Sequence, residues 1–105
     1  MRYRPLGKTG MSISVLGYGV SPVGGVFGEV AESEGIRALH RAIDLGINYF
    51  DVAPMYGETL AETRLGKAMK GKRDTVFLAT KCGRYSETAF DFSAKRIRAS
   101  IDESL

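Results

Sequence analysis

Cysteine is nearly absent: Cys82 stands alone, so no disulfide can form within the chain, and a reducing compartment is expected. No apolar core follows the opening Met1-Arg2-Tyr3-Arg4-Pro5, so no signal peptide is expected, and no run is long enough to span a membrane. Charge of one sign is also scarce. Fifteen Lys and Arg against twelve Asp and Glu leave a formal +3, interspersed and not gathered into a run. That pattern suits a solvated surface and gives no sign of a nucleic-acid partner. Histidine occurs once, at His40, and no internal sequence repeat is present. A cytoplasmic α/β protein follows from these absences. What the chain has in excess is glycine, 13 of its 105 residues, which suggests tight turns or close backbone approach.

The first residues read as a hairpin (1–14), with Tyr3–Leu6 and Met11–Leu16 as β-prone runs about the turn Gly7-Lys8-Thr9-Gly10. Val15–Gly19 is a candidate first parallel strand, followed by a Gly- and Val-rich loop. Ser33 is placed to cap a helix with the stripe Ile36, Leu39 and Ile43, ended by Gly46. A strand over Ile47–Asp51 comes next. Thr59-Leu60-Ala61-Glu62 then matches a capping box for a helix with Ala61, Leu65, Ala68 and Met69 on one face. Thr75–Lys81 is almost continuously apolar, as strands covered on both faces are. Ser93 caps a last helix with Ile97, Ile101 and Leu105 in line and Arg98–Asp102 spaced as an i,i+4 pair.

The strand ends at Gly19, Asp51 and Lys81 recur at the length of one βα unit of a parallel sheet or barrel. A (β/α)8 barrel takes about 250 residues, so three units over residues 15–105 amount to the first part of one. The last helix reaches Leu105 with no stop signal, as if cut within an element.

Asp51 and Lys81 break the apolar pattern, and both stand at strand C-terminal tips, where parallel α/β folds bind ligands. The two-residue period puts Tyr49 and Asp51 on one face, and Ala79 and Lys81 on one face, so both charges can point to one interior. Tyr56 follows five residues after Asp51, in a loop able to fold back over the strand ends. A free phenol has a pKa near 10, and a neighbouring ammonium favours phenolate, so the three side chains can form a general acid/base centre. The spacing leaves open a structural ion pair beside a surface tyrosine.

His40 lies inside a helix and reads as a surface or packing residue. Gly17-Tyr18-Gly19 does not complete a G-x-G-x-x-G fingerprint, so no Rossmann site is expected. Cys82 beside Lys81 reads as a small buried filler before a reactive thiol. Arg84 and Tyr85 are open between lining a polyol pocket and facing solvent.

The segment Asn48-Tyr49-Phe50-Asp51-Val52-Ala53-Pro54-Met55-Tyr56-Gly57 resembles the signature of the aldo-keto reductase family, as does Leu65-Gly66-Lys67. The opening Leu6-Gly7-Lys8-Thr9-Gly10 and Leu16-Gly17-Tyr18-Gly19 are similar to that family's start. Ala79-Thr80-Lys81-Cys82-Gly83-Arg84-Tyr85, Phe90-Asp91-Phe92-Ser93 and Ser100–Leu105 are similar to its sugar dehydrogenases. The resemblance implies a TIM barrel, metal-free, that moves hydride between NADP or NAD and a sugar or aldehyde. Of the family's four acid/base residues it places three here: Asp51, Tyr56 as proton donor or acceptor, and Lys81 tuning it. The fourth, a His at the end of the next strand, would fall beyond Leu105. It places the nicotinamide end near Gly19, Val20, Ser21 and Asp51, with Val20 where a Thr is common. The alternatives are a catalytically incomplete fragment and a non-enzymatic α/β binding module.

Overall fold

The computed structural model describes residues 1–105. Two short strands, β1 (Tyr3–Pro5) and β2 (Ser12–Ser14), pair antiparallel with Tyr3 opposite Ser14. Asn48 ties this hairpin to the rest: its side chain accepts from the Ser14 N–H at 2.7 Å and donates to the Ser12 carbonyl at 3.0 Å.

Three strands then run parallel in the order β3 (Tyr18–Gly19), β4 (Tyr49–Asp51) and β5 (Phe77–Ala79). Register is Gly19 opposite Asp51, and Asp51 opposite Ala79. Helix α1 (Glu32–Asp44) connects β3 to β4, α2 (Leu60–Ala68) connects β4 to β5, and α3 (Ala94–Ser104) follows β5. This is an open α/β arc, part of a barrel with no closure: β3 and β5 form its two edges. No helix is long and apolar enough to cross a membrane.

Alternation along the strands sorts the two faces. Phe50, fully buried at the middle of β4, points to the helices and meets Tyr18 with ring centroids 5.7 Å apart. Leu39 and Ala42 of α1 and Ala61, Leu65 and Ala68 of α2 complete that core. The opposite face carries Gly19, Tyr49, Asp51, Phe77 and Ala79, and is half-open. His40 Nε2 bonds the Ala68 carbonyl at 2.9 Å, so it packs α1 on α2, as its place inside a helix implied.

The strands are shorter than their apolar runs, and β5 is half-buried along its length instead of covered on both faces, because its outer edge and one face have no neighbour. Ser33 does not cap α1. The helix starts two residues earlier, after Ala31, with Glu32 and Glu34 in the first turn where their charge favours exposed N–H groups. Gly46, at φ 91°, ends α1 in the left-handed conformation that glycine adopts at low cost. The capping box at Thr59 does not form either. Thr59 has φ 75° and its hydroxyl makes no cap bond, while Glu62 instead accepts from Thr80 at 2.6 Å and Ser104 at 3.1 Å.

Ser93 does cap α3, its hydroxyl accepting from the Arg96 N–H at 3.2 Å. The face α3 turns inward holds Ser100, its one buried residue, and the Ile101–Leu105 end of the expected stripe is exposed. Arg98 does not pair with Asp102; Arg96 pairs with Glu103 at 3.1 Å, its guanidinium held over the Tyr85 ring at 3.8 Å.

Candidate active site

At the C-terminal edge of the sheet, Asp51 ends β4 and Lys81 lies two residues past Ala79, the residue opposite it. The pleat therefore carries both side chains to the same face. Lys81 Nζ donates to Asp51 Oδ1 at 2.6 Å and to the Val52 carbonyl at 3.1 Å. Its ammonium also stands 5.1 Å from the centroid of the Tyr56 ring. The three groups meet at one place.

Lys81 is charged there. Burial pulls its pKa down, but the bond to Asp51 and the neighbouring Tyr56 oxygen outweigh that and raise it above the usual 10.5. Both members of the ion pair remain about half-exposed, so the pair is open to water.

Tyr56 is half-buried, and a knot of main-chain bonds holds it in place. Its N–H donates to Ala53, Glu58 donates to Met55, and Thr59 donates to Pro54 at 2.7 Å. Its carbonyl accepts from Ala61 in the first turn of α2 at 3.1 Å. Closing this loop puts two non-glycine residues, Glu58 (φ 49°) and Thr59, in the left-handed region. The loop also presses on the 3-10 turn Ser21–Gly24. A Cβ on Gly57 (φ 65°) would collide with the Gly24 carbonyl, and one on Gly24 would lie 2.8 Å from the Tyr56 carbonyl.

Gly19 adjoins this cluster, level with Asp51, and nothing lies within 4 Å of where its Cβ would be, so the floor here is flat and open. Ser21 begins the turn and is half-buried. Val20 differs: its side chain is wholly buried in the helix-side core, since the residue after an interior-facing Gly19 points the other way.

Cys82 is exposed, not a buried filler, because β5 has already ended and no helix covers this point. Arg84 and Tyr85 make their bonds within their own loop. Arg84 lies 5.0 Å from the Phe90 ring and donates to Ser86, while the Tyr85 hydroxyl accepts from the Gly83 N–H at 3.0 Å. The close apposition of Gly24 and Gly57 is not foreshadowed by any spacing in the sequence. A charged tip residue on each of two adjacent strands, with a phenol over them, can pass a proton to or from a substrate oxygen. No group of three or more His, Cys, Asp or Glu side chains gathers to hold a metal.

The model of the aldo/keto reductase family matches residues 15–105. L-galactose dehydrogenase of Arabidopsis thaliana is 53% identical over 105 residues, covering 97% of this chain and 33% of its own. D-threo-aldose 1-dehydrogenase of a Pseudomonas species is 35% identical, over 90% of this chain and 36% of its own. The chain thus spans about a third of the length of these relatives. Among solved structures, the holo form of an aldo-keto reductase from Bacillus halodurans superposes on the whole chain and 35% of its own. The TM-score is 0.87 at 34% identity. The apo form of the same enzyme superposes with 0.71.

Proposed function

The chain belongs to the aldo/keto reductase family, and on that premise we propose that it is the N-terminal part of an NAD(P)-dependent oxidoreductase. In that reading, a hairpin (1–14) and three βα units (15–105) open a (β/α)8 barrel acting on a sugar or aldehyde, as an aldose dehydrogenase of the L-galactose type. The observation that carries this is the Lys81–Asp51 bond of 2.6 Å with the ammonium 5.1 Å from the Tyr56 ring. The sugar substrates in the names of two relatives support the substrate class.

The flat floor at Gly19, the turn at Val20 and Ser21, and Asp51 fit the nicotinamide end of NADP or NAD, Val20 by the shape of the turn alone. When bound, the cofactor supplies or accepts the hydride. The chain's own residues handle the proton. In reduction, the Tyr56 hydroxyl gives its proton to the carbonyl oxygen, leaving a phenolate beside the Lys81 ammonium. In oxidation, the phenolate takes the proton of the substrate hydroxyl. Asp51 keeps Lys81 protonated and aimed. The lone, exposed thiol suits a reducing compartment, and we place the enzyme in the cytoplasm.

In the full-length protein, assayed by nicotinamide absorbance with both cofactors against a sugar panel, Tyr56→Phe should lower kcat at least ~100-fold. A near-normal rate would overturn the assignment.

A further inference from the structure

We propose that Arg64, on α2, is a positioning residue for Tyr56: its guanidinium holds the Ser21–Gly24 turn, through the Val23 carbonyl, against the backbone of Tyr56 and Gly57. The proposal rests on the role given above to Tyr56.

Arg64 Nη1 donates to the Val23 carbonyl at 2.7 Å and to the Val30 carbonyl at 2.8 Å. These two carbonyls belong to the connection between β3 and α1, one inside the 3-10 turn and one just before the helix. An arginine on a helix surface ordinarily meets a carboxylate or water. Here the carboxylate of Glu32 is bonded to Lys67 at 2.7 Å, and one Arg64 nitrogen serves two main-chain oxygens instead. The Nε of Arg64 is buried without a partner, a cost that a plain aliphatic side chain would avoid. Ion pairing and burial therefore leave the residue unexplained, whereas a clamp on the loop explains both bonds.

What the clamp holds is in direct contact with the site. Gly24 follows Val23, and a Cβ there would lie 2.8 Å from the Tyr56 carbonyl and 2.8 Å from the Ala61 Cβ. That same Tyr56 carbonyl accepts the Ala61 N–H, three residues before Arg64 on α2. Tyr56 is thus gripped on one side by the first turn of the helix. On the other side is a turn that the helix itself pulls in. With the clamp gone, the turn can lift away, the strained loop over residues 53–59 can relax, and the phenol shifts relative to Lys81. A displacement of about 1 Å at a reacting group can cost about 100-fold in rate. Arg64 itself touches none of the three reacting side chains, so the loss should fall on kcat.

The test uses the full-length protein with Arg64→Met and Arg64→Lys, measuring kcat, KM and the ring-carbon signal of 13C-labelled tyrosine at one pH. The Tyr56 signal is identified by its disappearance in Tyr56→Phe. The expected result for Arg64→Met is a kcat lower by ~10-fold or more with KM within ~3-fold, and a displaced Tyr56 signal. Arg64→Lys, whose ammonium can still reach a carbonyl, should recover most of both. A lower melting temperature with kcat and the Tyr56 signal unmoved would overturn the proposal. Should Arg64→Met fail to fold, Arg64→Lys and Gly24→Ala decide it, since the added Cβ of Gly24→Ala presses on the same carbonyl and must move the same signal. The signal is read without turnover. A displaced signal in a protein with no oxidoreductase activity would refute the functional assignment and leave the clamp standing.

Discussion

Replacing Lys81 by Met should separate catalysis from stability. The ammonium lies 5.1 Å from the Tyr56 ring centroid. At that distance and an effective dielectric of about 20, a unit charge stabilises a phenolate by about 3 kcal/mol. The Lys81 and Asp51 side chains are 49% and 44% exposed, so water and salt reduce the effect, to about half on a rough allowance. A barrier raised by about 1.5–3 kcal/mol lowers kcat by about 10- to 100-fold. The same exposure limits what the ion pair adds to folding to about 1 kcal/mol or less. Lys81→Met in the full-length protein should therefore show a large drop in kcat in the nicotinamide assay and almost the same urea midpoint. A kcat within threefold of wild type would refute the electrostatic argument, as would a loss of stability above about 3 kcal/mol, which would mark Lys81 as a structural residue.

The Lys81 pKa is raised on folding, so its stabilising contribution is complete below the usual 10.5 and is lost as pH rises through the raised value. The stability difference between wild type and Lys81→Met should accordingly stay flat from about pH 7 to about pH 10 and close above that, as read by urea melts across pH. Gly57→Ala combines a left-handed backbone with a collision against the Gly24 carbonyl, and should cost at least about 2 kcal/mol together with most of the activity; tolerance within about 0.5 kcal/mol would contradict the contact. Ser93→Ala should cost about 1 kcal/mol by thermal melting, whereas Ser33→Ala should be close to neutral, because only Ser93 accepts a cap bond.

The meeting of Asp51, Tyr56 and Lys81 was legible because each charge ends an apolar run, and a two-residue period decides which face it takes. The capping motifs misled at two places for different reasons. At Ser33 the helix begins two residues sooner, where two glutamates already favour its first turn. At Thr59 the local motif is overridden by the loop that holds Tyr56, which drives the residue into a left-handed conformation and takes its hydroxyl out of reach. Cys82 was expected as a small buried filler after an apolar run, but β5 ends at Ala79 and the thiol is exposed. The Gly24–Gly57 contact and the Arg64 clamp join loops and a helix far apart in the chain. Glycines in loops and an arginine on a helix look the same whether they touch or face water, so no periodic signal reports such pairs.

All three site residues, Asp51, Tyr56 and Lys81, belong to a single strand–helix–strand crossover, β4–α2–β5. One loop closure, of some 30 residues, is then enough to bring the three side chains together. The cluster of Asp51, Tyr56 and Lys81 can therefore be gained or lost in one cooperative step. Native-state hydrogen exchange at the amides that bind β4 to β5, Val52 and Phe77 among them, should report its assembly with a common opening free energy.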